Sequence, residues 1–231
     1  MEQTHILLTG ASRGIGAAIA ERLGNEETVR LVSTSSASGD LSDPGTPSLI
    51  WDSALEQLDG RIDVLINNAG VFEPNAIDNS DVEWLENWHY TMDVNLTSAA
   101  LLCREAVRHF QDNEGGRIIN MASRAAYRGD SPNHWHYAAS KGAMVAMTKT
   151  IARGYAHDDI LAFAICPGFT MTGMADDYLE SRGGDKLLAD IPLGRVATPE
   201  EIAEIAAFCA LHAPPSMTGA VLDANGASYV R

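Results

Sequence analysis

The chain is poor in cysteine, and the few cysteines that it has are scattered. Cys103, Cys166 and Cys209 are the three among 231 residues, and each has apolar neighbours. An odd number at wide spacing argues against a disulfide framework and against a metal site. We therefore expect three core thiols in a reducing compartment and no bound metal.

Basic residues are also scarce. The chain has 16 Lys and Arg against 31 Asp and Glu, which gives a formal net charge of −15, and it contains no basic run. Such an acidic surface repels nucleic-acid phosphates and anionic membranes. The acidic residues are dispersed, which is typical of a solvated surface. We expect neither a nucleic-acid partner nor a membrane partner.

Long apolar runs are absent as well. No uninterrupted stretch of 18 apolar residues occurs, and the opening sequence MEQTHILLTG lacks the long apolar region of a signal peptide. The chain is nevertheless 45 % hydrophobic, which is enough for a sizeable core. These features predict a cytoplasmic protein with a single domain over residues 1–231.

Short apolar runs alternate with segments of helical spacing. The runs, each suited to a buried strand, are HILLT (5–9), VRLVS (29–33), DVLIN (63–67), GRIINMAS (116–123) and ILAFAIC (160–166). Helical spacing separates them, most clearly over 81–112 and 137–155. This alternation predicts an α/β fold, doubly wound, with a parallel sheet covered by helices on both faces.

Two further segments carry local signals. Residues 33–48 are rich in Gly, Ser and Pro, which predicts a loop that shortens one crossover, and Thr46 then starts a helix through Trp51 and Leu58. Later in the chain, Thr198 and Glu201 have the spacing of a capping box. A helix is predicted over 198–208.

A glycine-rich turn follows the first apolar run. The sequence TGASRGIG, residues 9–16, brings bare main-chain N–H groups to a helix N-terminus, where a pyrophosphate can bind. The sequence INNAG, residues 66–70, places polar amides after another strand, at the edge where open α/β sheets bind ligands. A dinucleotide site is indicated.

An acid–base pair is indicated by HYAASK, residues 136–141. Tyr137 and Lys141 are four residues apart, so a helix places them on one face with only small residues between them. An ammonium group beside a phenol lowers the pKa of that phenol, which is otherwise about 10. Proton transfer near neutral pH becomes feasible.

With these motifs in this order, the chain resembles the short-chain dehydrogenase/reductases. The resemblance runs from about Thr4 to Ala227 and includes TGxxxGxG, NNAG, a catalytic Asn, a catalytic Ser, YxxxK and PG. It implies a Rossmann-like, seven-stranded parallel sheet, a nicotinamide dinucleotide cofactor and interconversion of a carbonyl with a secondary alcohol. It also implies a homotetramer or homodimer paired through the helices 81–112 and 137–155.

The resemblance implies a role for each catalytic residue. Tyr137 acts as general acid or base, and Lys141 lowers its pKa and holds the nicotinamide ribose. Ser123 stabilises the substrate oxygen, and Asn95 orders a water that links the lysine to solvent. Asn95 has an equally apt structural interpretation, an amide that bonds the main chain at a helix kink.

The resemblance also implies a set of cofactor contacts. They are Gly10, Ser12, Arg13, Gly14, Ile15, Gly16, Ser33, Thr34, Asp40, Leu41, Asn67, Ala69, Gly70, Tyr137, Lys141, Pro167, Gly168, Thr170 and Thr172. Thr172 is the expected partner of the nicotinamide carboxamide, with Thr170 as its competitor. Because the second strand ends without an acid and Arg13 is basic, NADP(H) is favoured over NAD(H), which stays possible. Asp52 is an alternative to Asp40 at the adenine, although it lies in the predicted helix.

The substrate is the least determined part of the prediction. Its expected walls are Arg124, Tyr127, His134, Trp135 and a mobile lid over 173–194. His134 and His136 are interpreted as packing residues. The aromatic side chains favour a small, cyclic or aromatic carbonyl compound. A 3-oxoacyl group on acyl carrier protein is the alternative, and a non-catalytic dinucleotide sensor is the remote one.

Overall fold

The fold is built on one parallel sheet, seen in a computed structural model that describes residues 3–171 and 188–231. Its strands lie in the order β2-β1-β3-β4-β5-β6. They are β1 (Thr4–Leu8), β2 (Val29–Ser33), β3 (Val64–Asn67), β4 (Gly116–Met121), β5 (Ile160–Pro167) and β6 (Val221–Ala224). Every pairing is parallel.

Helices connect the strands, as the alternation of runs predicted. They are α1 (Gly14–Gly24), α2 (Thr46–Gln57), α3 (Asp81–Met92), α4 (Ser98–Gln111), α5 (Ala125–Arg128), α6 (Trp135–Tyr155) and α7 (Pro199–Leu211). A π-helical turn, Asp93–Thr97, joins α3 to α4. Short 3-10 turns cover Ser36–Ser38, Ala156–Asp158 and Pro215–Met217. No helix in the described ranges is long and apolar enough to cross a membrane.

The sheet is buried on both faces, because alternate residues of each strand enter opposite cores. Ile6 and Leu8 of β1 pack with α1 and α7, whereas Leu7 packs with α2, α4 and α6. All eight residues of β5 are buried. Cys103, Cys166 and Cys209 are buried free thiols, in agreement with the prediction of core cysteines.

The strand count differs from the predicted seven. The described residues form six strands, and β2 is the edge strand on one side. Between β2 and α2, residues 34–45 form a capped 3-10 turn and an Asp40 turn closed by Ser42, and they add no strand beside β2. A segment this rich in Ser, Gly, Asp and Pro has no apolar face to place on the core, so it does not extend the sheet.

Two predicted helix starts are confirmed. Thr198 and Glu201 form the reciprocal capping box at the start of α7, with Pro199 at its first position. Helix α2 begins at Thr46 and is followed by Pro47. Residues 34–45 form a loop that contains the short 3-10 turn, so the predicted loop over 33–48 is shorter at both ends, where β2 and α2 include Ser33 and Thr46.

The chain order reverses between β1 and β3, which are neighbours in the sheet but not in sequence. Ligands of doubly wound sheets bind in the crevice at the carboxyl ends of strands at such a point. The glycine turn after β1 and the NNAG sequence after β3 both open onto this crevice.

Candidate active site

The glycine turn is held so tightly that side chains are excluded from it. Gly10 has a φ of +71°, and a Cβ added there would lie 2.6 Å from the Cα of Ala69. A Cβ on Gly16 would lie 2.0 Å from the carbonyl oxygen of Gly10. Non-glycine residues at these positions would force the main chain apart.

Thr9 and Asn68 lock the glycine turn to the end of β3. The Asn68 side-chain amide donates to the carbonyls of Thr9 and Gly10, at 3.1 and 2.9 Å. The Thr9 hydroxyl accepts from the main-chain N–H groups of Asn68 and Ala69, at 3.1 and 3.2 Å. The predicted contacts omitted both residues, although each stands inside a quoted motif.

Helix α1 starts at the crevice with no side chain capping its N-terminus. Arg13 occupies the N-cap position without a side-chain capping bond, and Ser12 and Arg13 are exposed. The first-turn N–H groups and the positive end of the helix dipole suit a phosphate. The close-packed glycines and this uncapped helix fit the pyrophosphate of a dinucleotide.

The end of β2 differs in detail from the expected adenosine site. Thr34 bonds the glycine turn through its main chain, accepting from the N–H of Ala11 at 2.8 Å. Ser33 is exposed, and Asp40 accepts from both the N–H and the hydroxyl of Ser42, which lowers the pKa of its carboxyl group. Leu41 packs partly against the core. The alternative Asp52 is exposed on α2.

The side chain of Asn67 is held in a buried hydrogen-bond network, so its predicted cofactor contact would come from its main chain and stays a prediction. Its side-chain amide donates to Asn120 Oδ1 at 2.9 Å and to Cys103 Sγ at 3.3 Å. Asn120 in turn donates to Thr148 at 2.9 Å. This buried network ties β3 to β4, α4 and α6, so the side chain of Asn67 has a structural role.

Asn95 lies in the π-helical turn and binds the chain that follows NNAG. Its Oδ1 accepts from the N–H of Val71 at 2.7 Å, and its Nδ2 donates to the Val71 carbonyl at 3.0 Å. Gly70 lies against this amide and against the Lys141 ammonium group. The structural interpretation of Asn95 is therefore observed, and the ordered water stays a prediction.

Tyr137, Lys141 and Ser123 meet at the crevice. Tyr137 lies in the first turn of α6, next to the Ser123 side chain beyond β4, which acts on its pKa. Lys141 follows one turn later, and its Nζ lies 5.8 Å from the centre of the Tyr137 ring and donates to the Met121 carbonyl at 2.7 Å. The structure thus brings together the three residues predicted to form the reacting group.

Burial dominates the protonation of this group. It raises the pKa of Tyr137 to about 12, although the neighbouring Ser123 side chain opposes that rise, and it lowers the pKa of Lys141 to about 8. The predicted lowering of the Tyr137 pKa by Lys141 together with the oxidised nicotinamide stays a prediction. The phenol stays protonated at neutral pH, and the ammonium group is close to losing its charge above pH 8.

The PG motif ends β5 beside the C-terminal segment. A Cβ on Gly168 would lie 2.8 Å from the Cα of Asn225, so a side chain is excluded there. Pro167 and Thr170 are buried, and Thr170 donates to the Gly168 carbonyl at 3.3 Å. Thr172 lies outside the described residues, as does most of the predicted lid over 173–194.

The predicted substrate walls separate into two groups. Arg124 bonds Ser228 and stacks over Phe169, and Tyr127 stacks on Tyr229, so both face the C-terminal segment. His134 lies instead near Tyr137, where it stacks on Phe72. Its packing interpretation is confirmed, and so is that of His136, which is 1 % exposed. Trp135 is 53 % exposed.

Phe72 is the site residue that the sequence interpretation missed. It follows Gly70 by two positions, and its ring meets the Tyr137 ring edge-on, with 4.7 Å between centroids. The only sequence signal was an aromatic residue two positions after NNAG. Among residues 3–171 and 188–231, no group of three or more His, Cys, Asp or Glu side chains could hold a metal ion.

The fold and the site together define a dinucleotide-dependent oxidoreductase, in which the Tyr137 phenol, the Ser123 hydroxyl and the Lys141 ammonium group meet at the switch point. Comparison with known proteins agrees. The family model described as enoyl-(acyl carrier protein) reductase matches residues 25–226.

Similar proteins share nearly the whole length of the chain. The 3-oxoacyl-[acyl-carrier-protein] reductase FabG of Vibrio cholerae is 31 % identical, over 97 % of this chain and 96 % of its own. The 3beta-hydroxysteroid dehydrogenase 1 of Eggerthella lenta is 33 % identical, over 96 % and 92 %. The 3-ketoacyl-(acyl-carrier-protein) reductase of Brucella melitensis, solved with NADH, superposes with a TM-score of 0.85 at 26 % identity, over 99 % of each chain. The chain belongs to the short-chain dehydrogenase/reductase family, oxidoreductases that act on CH–OH groups.

Proposed function

We propose that this protein reduces a substrate carbonyl with NADP(H), using Tyr137 as the proton donor. One observation carries the proposal: the Tyr137 phenol and the Ser123 side chain lie next to each other at the carboxyl edge of the sheet, one helical turn from Lys141. A carbonyl oxygen placed between the two hydroxyl groups would receive two hydrogen bonds. Both bonds strengthen as negative charge develops on that oxygen.

The protonation state of Tyr137 favours the reductive direction at neutral pH. A phenol with a pKa of about 12 is protonated there and can give its proton to the substrate oxygen. Ser123 would hold that oxygen, and the Lys141 ammonium group would supply positive charge nearby. A bound nicotinamide dinucleotide would supply the hydride.

Arg13 and the exposed Ser33 support the preference for NADP(H). Both stand near the glycine turn, and residues 29–38 contain no carboxylate that would bind the ribose diol of NAD(H). The guanidinium group of Arg13 suits a 2′-phosphate. Titration calorimetry with NADPH and NADH tests this: Arg13→Leu should weaken NADPH binding and leave NADH binding nearly unchanged. Equal loss for both cofactors would contradict the preference.

Two substrate classes have support. A 3-oxoacyl group on acyl carrier protein is supported by the Vibrio and Brucella relatives, whose names state that activity. A small cyclic or aromatic carbonyl compound is supported by the aromatic side chains beside Tyr137 and by the similarity to the Eggerthella enzyme. Arg124 and Arg128 are basic residues near this site that could meet an acidic carrier, and both lie close to Asp190, at 3.8 and 2.6 Å.

A single assay tests the function and separates the classes. NADPH oxidation is followed with 3-oxoacyl thioesters, cyclic ketones, quinones and an enoyl thioester, using wild-type protein and Tyr137→Phe. We expect carbonyl-dependent turnover that falls by about 10²- to 10⁴-fold in the variant. Tight NADPH binding without turnover of any compound, in either direction, would favour the dinucleotide sensor.

We also propose that the protein is a homotetramer or homodimer, paired through α3, α4 and α6. Val82 and Leu85 on α3 are 67 % and 49 % exposed, an apolar surface that a second copy would cover. Light scattering at micromolar concentration measures the mass directly. A monomer mass would reject this proposal. The cytoplasmic location stays a prediction.

A further inference from the structure

Two loops meet beside the catalytic tyrosine and present aromatic rings to it. Phe72 comes from the loop after β3, and His134 from the loop before α6. The two rings are stacked, with centroids 3.9 Å apart and planes 7° from parallel. Phe72 also meets Tyr137 at 83°, with centroids 4.7 Å apart. We call Phe72 and His134 the aromatic wall.

The aromatic wall is fixed in place by polar contacts on both loops. The Asn75 N–H donates to the Asn133 carbonyl at 2.8 Å, which joins the two loops. The Asn75 side chain is buried and donates to the Trp84 carbonyl on α3 at 2.9 Å. The His134 Nδ1 lies 2.6 Å from the Ser131 hydroxyl oxygen. A wall supported in this way keeps its shape when a ligand arrives.

The wall is apolar and incompletely covered. Burial lowers the pKa of His134, so its ring is neutral at physiological pH. Phe72 is 37 % exposed although it touches the reacting phenol. Apolar surface that stays open next to reacting groups is typical of a pocket that a ligand covers.

We propose that the aromatic wall determines substrate specificity and favours a flat ring that contains the carbonyl carbon or is bonded to it. This inference rests on the proposed function of Tyr137. A ring is rigid, so it can pack against Phe72 without losing rotamer freedom, and it gains the offset or edge-to-face contacts of aromatic pairs. A flexible acyl chain gains fewer such contacts and must be ordered first.

Binding of a ring ketone tests the proposal without turnover. Calorimetry measures the Kd of 2-tetralone for the NADP⁺ complex, in which the ketone cannot be reduced. We expect Phe72→Ala to weaken binding about tenfold, and Phe72→Tyr to retain it. Phe208→Ala is the matched control, because Phe208 is a phenylalanine on α7 that is 38 % exposed, close to the exposure of Phe72. An unchanged Kd in Phe72→Ala, or no binding to wild-type protein, would overturn the proposal.

Steady-state kinetics separate specificity from a structural effect on Tyr137. We expect Phe72→Ala to raise KM for 2-tetralone about tenfold, and to change kcat/KM by less than about threefold for a linear 3-oxoacyl N-acetylcysteamine thioester. Equal loss on both substrates would mean that Phe72 only positions Tyr137, which would contradict the proposal. Absence of turnover with wild-type protein would count against the proposed function alone, since the binding experiment stands without it.

Phe72→Leu guards against misfolding of the alanine variant. It keeps an apolar side chain of similar volume and removes the ring. The melting temperature and the NADPH affinity should match those of the wild type, while 2-tetralone binding weakens. If Phe72→Leu binds 2-tetralone as tightly as wild type, ring contacts do not determine selectivity and the proposal fails.

Discussion

The two ends of the crevice differ in whether main chain or side chains form their surface. At the glycine turn, main chain packs on main chain. A Cβ on Gly10 would clash with Ala69, and a Cβ on Gly16 would clash with the Gly10 carbonyl group. At Tyr137, two loops present side chains, and the surface consists of the rings of Phe72 and His134. The first end depends on the absence of side chains, the second on their presence.

This difference explains which end can be inferred from a motif. Few residue types tolerate a close main-chain approach, so the glycine turn has a narrow choice of sequence. A pocket wall can be formed by any side chain of suitable size, so its residues follow the substrate. A change at the first end should therefore affect every substrate alike, and a change at the second should affect some substrates more than others.

The largest effect is expected from a methyl group in the glycine turn. Gly16→Ala places a Cβ 2.0 Å from the Gly10 carbonyl oxygen, and the main chain must move. We expect a stability loss of about 3 kcal/mol and a loss of NADPH affinity of ~100-fold, both from overpacking. Denaturant unfolding and calorimetry measure the two effects.

Gly24→Ala is the matched control on the same helix. A Cβ there meets nothing within 4 Å, so this variant should keep NADPH affinity and gain about 0.5 kcal/mol of stability. If Gly16→Ala had the same stability and NADPH affinity as Gly24→Ala, the inference that the glycine turn is tightly packed would be wrong.

A smaller effect, shared by all substrates, is expected from the charge of Lys141. Because burial lowers its pKa to about 8, the ammonium group is present below pH 8 and is lost as the pH rises. Reductive kcat/KM should therefore fall by about tenfold per pH unit above pH 8. Lys141→Arg keeps the positive charge and should remove this decline. The control Lys149→Arg, on the exposed side of α6, should retain the decline in kcat/KM. If the decline persisted in Lys141→Arg, a group other than Lys141 would cause it.

The smallest effect is expected on the free energy of unfolding, and it comes from His136 on α6. Both ring nitrogens of His136 are buried without a hydrogen-bond partner, and burial lowers its pKa below 6.5. The unfolded chain then binds more protons, so stability is full above pH 6.5 and falls as the pH decreases below it. His136→Leu should gain about 1 kcal/mol at pH 5 and flatten the pH dependence.

Thermal unfolding between pH 5 and pH 8 measures this effect, with the exposed His212→Leu as control. A pH dependence that is the same in His136→Leu and wild type would show that another group causes the acid sensitivity.

Much of the fold followed from local patterns in the sequence. The five apolar runs became strands β1 to β5, and Thr198 with Glu201 formed the predicted capping box. The seventh strand came from family resemblance, and the polar residues 34–45 could not supply it. Local patterns carry reliable information where a residue interacts with its own element or with the adjacent one.

The site was predictable where a motif fixes position. Tyr137, Lys141 and Ser123 do meet, because helical spacing and the end of β4 bring them together. The side-chain direction of Asn67 and the effect of burial on the Tyr137 pKa depend on tertiary packing. Phe72 acquired its place through a contact with His134, 62 positions away in sequence, and no local pattern encodes such a contact.

The double hydrogen bond between Asn95 and Val71 has a consequence for how this protein can evolve. It clamps the chain at the last residue before Phe72, so the loop beyond it is anchored independently of its own sequence. Substitutions or insertions from Phe72 onward can accumulate without displacing Gly70 or the proton-transfer residues. The Asn95–Val71 contact thus separates the loop from Phe72 onward, whose sequence can diverge, from Gly70 and the residues around Tyr137, whose positions must be kept. A change of substrate would then not require a change in those residues.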